Sequence, residues 1–212
     1  MQTNNSYSEF SIVFAANANN PTILNPDFLK YNNIVPNDWE LKQPPIITEP
    51  FAQVIFKSGI SITSQLDKVV FSHKNIDNID NASKAIKDIA GKYLSIIPHV
   101  NYSAIGINPQ KLIKFESPDS VIKEKFFSYI FQNNEKQINI RFAIDLPGNV
   151  ICNFNIFSES NNNAGIIVSA NFHHALGNDI EKRIREMESI IVKYNNDIDR
   201  FNKMIENYFL EK

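Results

Sequence analysis

The sequence predicts an α+β fold in which an antiparallel sheet carries helices on one face and a long amphipathic helix closes the chain. Three observations predict this class. Short β-type runs follow one another with only turn residues between them, which is typical of antiparallel meanders. Two internal segments show the apolar period of amphipathic helices. The stretch 178–210 repeats apolar residues more strictly still and contains no glycine or proline.

The predicted strands are short runs rich in β-branched and aromatic residues. Asparagine clusters and the segment 146–149 (LPGN) separate several of them, because Asn and Gly tolerate the positive φ angles of tight turns. In chain order the runs are Glu9–Ala16, Phe51–Phe56, Ile60–Thr63, Lys68–His73, Tyr102–Ile107 with Lys111–Phe115 beyond a turn at Asn108-Pro109, Ile138–Asp145, Val150–Phe157 and Gly165–Phe172.

The internal helices are predicted from apolar spacing and from their end signals. Asn81–Ile97 has apolar residues on one face and ends at Pro98. A second helix starts at Ser117-Pro118-Asp119 and runs to Phe131. The proline-rich segment 21–50 is predicted to be irregular, with a short helix near Pro26–Tyr31. The whole chain, 1–212, is predicted to be one domain, and a two-lobed organisation dividing near residue 116 stays open.

The segment 178–210 carries the strongest pattern and is predicted to be one long helix. Its apolar residues are spaced alternately four and three apart, as in the a and d positions of a coiled coil. Such a stripe suits pairing with another helix, although it could also cover the chain's own sheet. The side chains predicted to form an interface are Met187, Ile191, Tyr194, Ile198, Phe201, Ile205 and Tyr208.

Composition limits the function classes. The chain has 212 residues, a formal net charge of −2 and one cysteine. The net charge argues against nucleic acid as the primary partner. No apolar run is long enough to cross a membrane and the N-terminus does not resemble a signal peptide, so the cytoplasm is the expected location. The single Cys152 fits a reducing compartment and is predicted to be a small buried side chain of a strand.

Residues able to support chemistry are few. His173 and His174 are adjacent in a predicted strand, so they should point to opposite faces and cannot share a metal ion. Together with Asp145 they are the side chains an unrecognised active site would use. The sequence contains no phosphate-binding loop, nucleophile elbow or zinc spacing. No catalytic, cofactor-binding or metal-ligating residue is therefore assigned, no cofactor is predicted, and an enzyme is disfavoured without being ruled out.

Three segments resemble an uncharacterised, sporadically distributed bacterial protein family. They are 44–49 (PPIITE) before a strand, 100–108 (VNYSAIGIN), and the acid-rich end of the terminal helix, Asn196–Tyr208. The resemblance implies a bacterial accessory protein and no known catalytic residues. This chain adds an N-terminal strand to that pattern.

These observations favour a non-enzymatic interaction or adaptor protein that self-associates through its terminal helix, as a homodimer or with another protein subunit. The first alternative is a cup for a small or apolar ligand, formed where the sheet curls around the helix and the proline-rich segment covers the mouth. The second alternative is an enzyme whose site the sequence does not reveal.

Overall fold

The fold was analysed in a computed structural model, which describes residues 5–115, 120–122, 139–159 and 165–210. Within those residues nine strands form one antiparallel sheet. The strands are β1 (Asn5–Asn17), β2 (Ile46–Ile47), β3 (Phe51–Ile55), β4 (Ile60–Gln65), β5 (Lys68–Lys74), β6 (Asn101–Lys114), β7 (Asn139–Leu146), β8 (Val150–Glu159) and β9 (Gly165–Ala175). The predicted runs were therefore assigned correctly as strands, and several extend further than the patterns indicated.

The strand order shows that the topology repeats. The order is β2-β3-β4-β5-β1-β6-β9-β8-β7, so that β1 and β6 lie side by side at the centre. On each side the next strand outward is the last of a three-strand meander, β3–β5 on one side and β7–β9 on the other, that runs back toward the edge. The short β2 adds a fourth strand at the edge of the first half. The second copy begins after the helix that precedes β6. The predicted division near residue 116 falls outside the described residues.

β6 differs from its prediction because it continues through Pro109. Proline cannot donate to a sheet ladder and is usually excluded from central strands. Here the pairing with β1 shifts register between Tyr7 and Glu9, which leaves Ser8 as an extra residue opposite this part of β6. The bulge interrupts the ladder next to Pro109. The strand can therefore continue through the proline, and the predicted turn does not form.

The helices lie on one face of the sheet, called here the helical face. The α-helices are α1 (Pro26–Tyr31), α2 (Ile79–Ile96), α3 (Ile180–Val192) and α4 (Asn195–Ile205). Asn25, Asn78 and Asp179 cap α1, α2 and α3 by accepting hydrogen bonds from backbone N–H groups. The core lies between these helices and the sheet, where Phe71 of β5 packs against Phe14 of β1 and Tyr93 of α2.

The proline-rich segment is ordered against this core. It contains the predicted short helix, as α1, and a 3₁₀ helix at Pro21–Ile23. Leu24, Leu29 and Ile34 are buried, and the Trp39 ring packs on Phe56 with centroids 5.2 Å apart. Apolar anchors therefore hold the segment on the helical face.

The long terminal helix was wrongly predicted. α3 ends at Val192, α4 starts at Asn195, and a π-helical turn covers Glu206–Leu210. At the break, the N–H groups of Asn196 and Asp197 bond the carbonyls three residues earlier, instead of the four of an α-helix. Two shorter helices can each follow the twisted sheet, which a single straight rod cannot do.

The described residues also bear on two further predictions from the sequence. The helix predicted from Ser117 to Phe131 lies mostly outside the described residues; of it, Ser120–Ile122 are helical and Ile122 is buried. In the described part of the chain, no helix combines the length and apolarity that a membrane span requires.

Candidate functional site

The face of the sheet opposite the helices, called here the open face, carries a row of small polar side chains. Strand pairing sets Ser61 beside Ser72, Ser72 beside Ser11, and Ser11 beside Asn108. The row continues on the other half of the sheet with Asn171 and Asn153, which face each other on β9 and β8. Six consecutive strands thus contribute three serines and three asparagines in one line, with the asparagines confined to the second half.

Side-chain hydrogen bonds order the centre of this row. The Asn171 amide donates from Nδ2 to Oδ1 of Asn108 at 2.5 Å, and Asn108 Nδ2 lies 3.4 Å from Ser11 Oγ and 3.4 Å from the Gly106 carbonyl oxygen. Gly106 leaves the space that the pair needs, because a Cβ there would lie 2.9 Å from Asn171 Nδ2. The amides are thereby held flat on the sheet.

Two adjoining depressions make a groove at this place. One, of about 240 Å³, lies over β1, β6 and β9, and the other, of about 560 Å³, lies over β7 and β8. Asn155 lines both, so they meet at its side chain. We call the combined feature the amide groove; its polar side chains are Glu9, Ser11, Asn108, Gln110, Arg141, Asn153, Asn155, Ser169 and Asn171.

The charges of the amide groove lie at its two ends. Glu9 is at the β1 end, where the Lys74 ammonium approaches its carboxylate at 3.7 Å. Arg141 is at the β7 end, is exposed, and pairs across the strands with Asn155. Between them the polar groups are uncharged amides and hydroxyls, which can donate and accept hydrogen bonds at once.

An aromatic ring lies on β8 just beyond the residues that line the groove. Phe157 follows Asn155 by two residues on β8, so it projects from the same face, and it is half-buried. A cation, an amide and a ring therefore occupy neighbouring positions on β7 and β8. This combination can contact a negatively charged group, a hydrogen-bonding edge and a flat ring of a single ligand.

The histidines named from the sequence point to opposite faces, as predicted. His173 pairs with Gly106 and Ile151 on the open face, near the amide groove but outside its lining. His174 faces the helices, and its Nε2 lies 2.7 Å from Oδ2 of Asp197. Asp145 is exposed on the open side of β7. The structure does not bring these three candidates into one site.

Cys152 is a core residue, as predicted. It lies on the helical side of β8 and is fully buried, and burial raises the pKa of its thiol to about 12. The thiolate needed for nucleophilic chemistry is therefore not available near neutral pH.

The predicted interface side chains lie against the chain's own sheet. Tyr194 contacts Phe10 with ring centroids 6.0 Å apart, and Phe201 contacts Tyr7 and Phe154 at 6.3 and 6.1 Å. The other side chains of the stripe from Met187 to Ile205 are buried too, whereas Tyr208 is 36% exposed. The stripe of α3 and α4 is thus covered within one chain.

The asparagines of the groove were given no functional role from the sequence: Asn108 was assigned to a turn, and the others lay in predicted strands without a role of their own. A usable signal was present at Asn153 and Asn155, which alternate with Cys152, Phe154 and Ile156 in a strand pattern. Alternation of that kind places both amides on one solvent-facing side.

Comparison with known proteins yields few matches. No family model and no curated protein matches the chain. Among solved structures, the chain is similar to a rolling circle replication initiator protein from Geobacillus stearothermophilus, with 7% identity and a TM-score of 0.37 over 97% of this chain and 85% of that one.

Two predictions from the sequence are corrected here. The interpretation as an adaptor that self-associates through its terminal helix is wrong in the interface it assigns, because the apolar stripe is already covered by the chain's own sheet. The exclusion of nucleic acid in favour of a protein partner is corrected for a separate reason. That exclusion rested on the net charge of the whole chain, which does not describe a local groove.

The apolar cup is corrected as well, for a packing reason. The space between sheet and helices is filled by aromatic contacts such as Phe71 with Tyr93 and Phe154 with Phe201. The proline-rich segment packs on that core through buried Leu24 and Leu29, so it is not a lid over a mouth.

Proposed function

We propose that the protein binds single-stranded nucleic acid along the amide groove on the open face of its sheet. The observation that supports this most directly is the position of Arg141, Asn155 and Phe157 on adjacent strands of a face that no described helix covers. Arginine binds phosphate, asparagine pairs with base edges, and an aromatic ring stacks on an unpaired base.

The shape of the groove favours a single strand over a duplex. The row of Asn108, Asn171 and Asn153 crosses adjacent strands, which lie about 4.8 Å apart. Splayed bases of a single strand can reach such a shallow polar surface, and their stacking on side chains tolerates many sequences. Duplex recognition relies on an element that enters a groove and on many phosphate contacts, whereas Arg141 is the one unpaired cation among the described lining residues.

The test is fluorescence anisotropy with a labelled 12-nucleotide mixed-sequence oligomer, as DNA and as RNA. Phe157→Leu removes the ring and keeps an apolar side chain, whereas Phe157→Tyr keeps the ring. We expect Phe157→Leu to weaken binding by about fivefold to 150-fold, the equivalent of about 1–3 kcal/mol for one stacked base. Phe157→Tyr should bind as tightly as the wild type.

A matched pair of arginine variants locates the site. Arg141→Ala should weaken binding, because it removes the cation of the groove, whereas Arg185→Ala, on the exposed side of α3, should not. The proposal fails if neither oligomer binds at about 100 μM protein, within the usual range of non-specific binding. Equal losses from the two arginine variants would place the contact outside the groove and would also overturn it.

A further inference from the structure

A second pocket lies on the other side of the sheet, at the end of β9. It has a volume of about 410 Å³ and lies between the turn that joins β7 to β8, the segment after β9 and the outer side of α3. Its lining residues are Gly148, Asn149, His174, Ala175, Gly177, Glu186, Ser189 and Ile190. None of them belongs to the amide groove.

His174 is held in this pocket by a buried carboxylate. Its side chain is 14% exposed and its Nε2 lies 2.7 Å from Oδ2 of Asp197, which is 4% exposed. Arg200 Nη1 approaches the other carboxylate oxygen of Asp197 at 3.1 Å. A carboxylate at Nε2 keeps the proton on that nitrogen, so Nδ1 of the neutral ring is a hydrogen-bond acceptor.

Nδ1 of His174 has no hydrogen-bond partner in the described part of the chain. Nearly buried polar atoms normally have a partner from protein or solvent. Because His174 also lines the pocket, a molecule bound there can supply the missing donor.

The wall opposite is fixed and acidic. Glu186 accepts a hydrogen bond from the Gly177 N–H at 3.2 Å, and it lies 3.8 Å from the exposed Lys182 ammonium. The buried Arg183 bonds the carbonyls of Gly177 and Asn178, so this segment is held in place without a ligand.

The lining residues of the pocket set its preference for charge. They include one carboxylate, that of Glu186, and no lysine or arginine. An anion would therefore find no cationic partner among these residues, whereas an ammonium group would be attracted to the carboxylate.

We propose that this pocket binds a small hydroxylated amine, whose hydroxyl donates to Nδ1 of His174 and whose ammonium group faces Glu186. The hydroxyl satisfies the free ring nitrogen, and the positive charge offsets the carboxylate. The site is independent of the amide groove and does not rest on nucleic-acid binding.

The experiment follows the His174 ring resonances of the full chain by NMR while ethanolamine is added. We expect a saturable shift, with affinity reduced at least tenfold by Glu186→Gln, a variant of a partly exposed residue that should keep the fold. His174→Ala should abolish the binding measured by calorimetry, whereas His99→Ala, at an exposed position, should leave it unchanged.

Two related probes test each half of the contact. Ethylamine lacks the hydroxyl and should bind more weakly than ethanolamine, and the anion glycolate should not shift the His174 resonances. The proposal is overturned if ethanolamine produces no saturable shift, if folded Glu186→Gln binds it as tightly as the wild type, or if glycolate binds equally well.

Discussion

Gly106 shows how one missing side chain shapes the open face. A Cβ at this position would lie 2.9 Å from Asn171 Nδ2 and 3.4 Å from Asn108 Nδ2, the two amides that are hydrogen-bonded to each other. Gly91, in α2, is the contrasting case, because no atom of the described residues lies within 4 Å of a Cβ built there, apart from its chain neighbours and the backbone of its own helix. The same substitution therefore has opposite consequences at the two glycines.

We expect Gly91→Ala to raise the free energy of unfolding by about 1 kcal/mol, since alanine is favoured over glycine inside a helix. Gly106→Ala should give no such gain, because displacing Asn171 loses a hydrogen bond worth about 1 kcal/mol net. It should also weaken oligonucleotide binding. Urea denaturation measures the free energy of unfolding, and anisotropy measures oligonucleotide binding. Equal stabilisation by the two alanines would show that the Asn108–Asn171 pair can move aside without loss of free energy.

Lys111 illustrates a residue whose environment the sequence did not reveal. It is buried on the helical side of β6, where its Nζ donates to Asn202 Oδ1 at 2.8 Å and lies 4.5 Å from the centroid of the Tyr7 ring. Desolvation lowers the pKa of its ammonium group. An amide oxygen and an aromatic face thus replace the carboxylate that a buried lysine usually requires.

At the scale of elements, α3 and α4 show that an apolar stripe does not specify its partner. The stripe from Met187 to Ile205 has the spacing of a coiled-coil seam, yet these side chains fill the helical face of a twisted sheet. The break after Val192 lets each helix keep its stripe on that surface. Stability should therefore depend on this stripe even in a single chain.

Truncation of the stripe provides the test. Phe201 is fully buried against Tyr7 and Phe154, so Phe201→Ala should lower the free energy of unfolding by about 3–5 kcal/mol. Val192 is 68% exposed at the end of α3, so Val192→Ala should change the free energy of unfolding by no more than about 0.5 kcal/mol. Thermal or urea unfolding compares them. Similar small decreases in the free energy of unfolding for both variants would mean that α4 does not pack against the sheet in this way.

At the scale of the whole molecule, the two halves of the sheet have the same topology and different surfaces. The first half contributes Ser61, Ser72 and Ser11 to the central row, and the second contributes Asn108, Asn171 and Asn153. The longer amide side chains and Arg141 lie in the second half alone, so the groove is asymmetric although the framework repeats.

The cations of the groove predict how binding should respond to salt. Among the described lining residues Arg141 is the one cation, and the neighbouring Lys74 is paired with Glu9, so that one or two cations are available to neutralise phosphates in the groove. For one or two such contacts on a single strand, the slope of log K against log salt concentration should lie between about −0.7 and about −1.4. Anisotropy at several salt concentrations measures it. A slope near −4 would indicate a basic surface elsewhere and contradict the groove.

Local patterns in the sequence determined the types of the elements. Alternation in Val150–Phe157 and the apolar period of Asn81–Ile97 reflect which side chains each element buries, and burial follows directly from neighbouring residues. Cys152 was placed correctly for the same reason. Pro109 and the break at Lys193 were not predicted, because a bulge in a distant strand and the twist of the sheet decided them.

Only the tertiary structure decided which surfaces are free. Asn108 meets Ser11 across 97 positions of the chain and Asn171 across 63, and Asp197 meets His174 after the turn into the helices. Such pairings depend on strand register and on the face that each helix covers, which are non-local properties of the folded chain. The period of an apolar stripe indicates that the stripe must be buried, but it does not indicate which surface covers it. That is why the stripe suggested a partner, while Asn108 was assigned to a turn and the asparagines of β8 and β9 were given no role within their predicted strands.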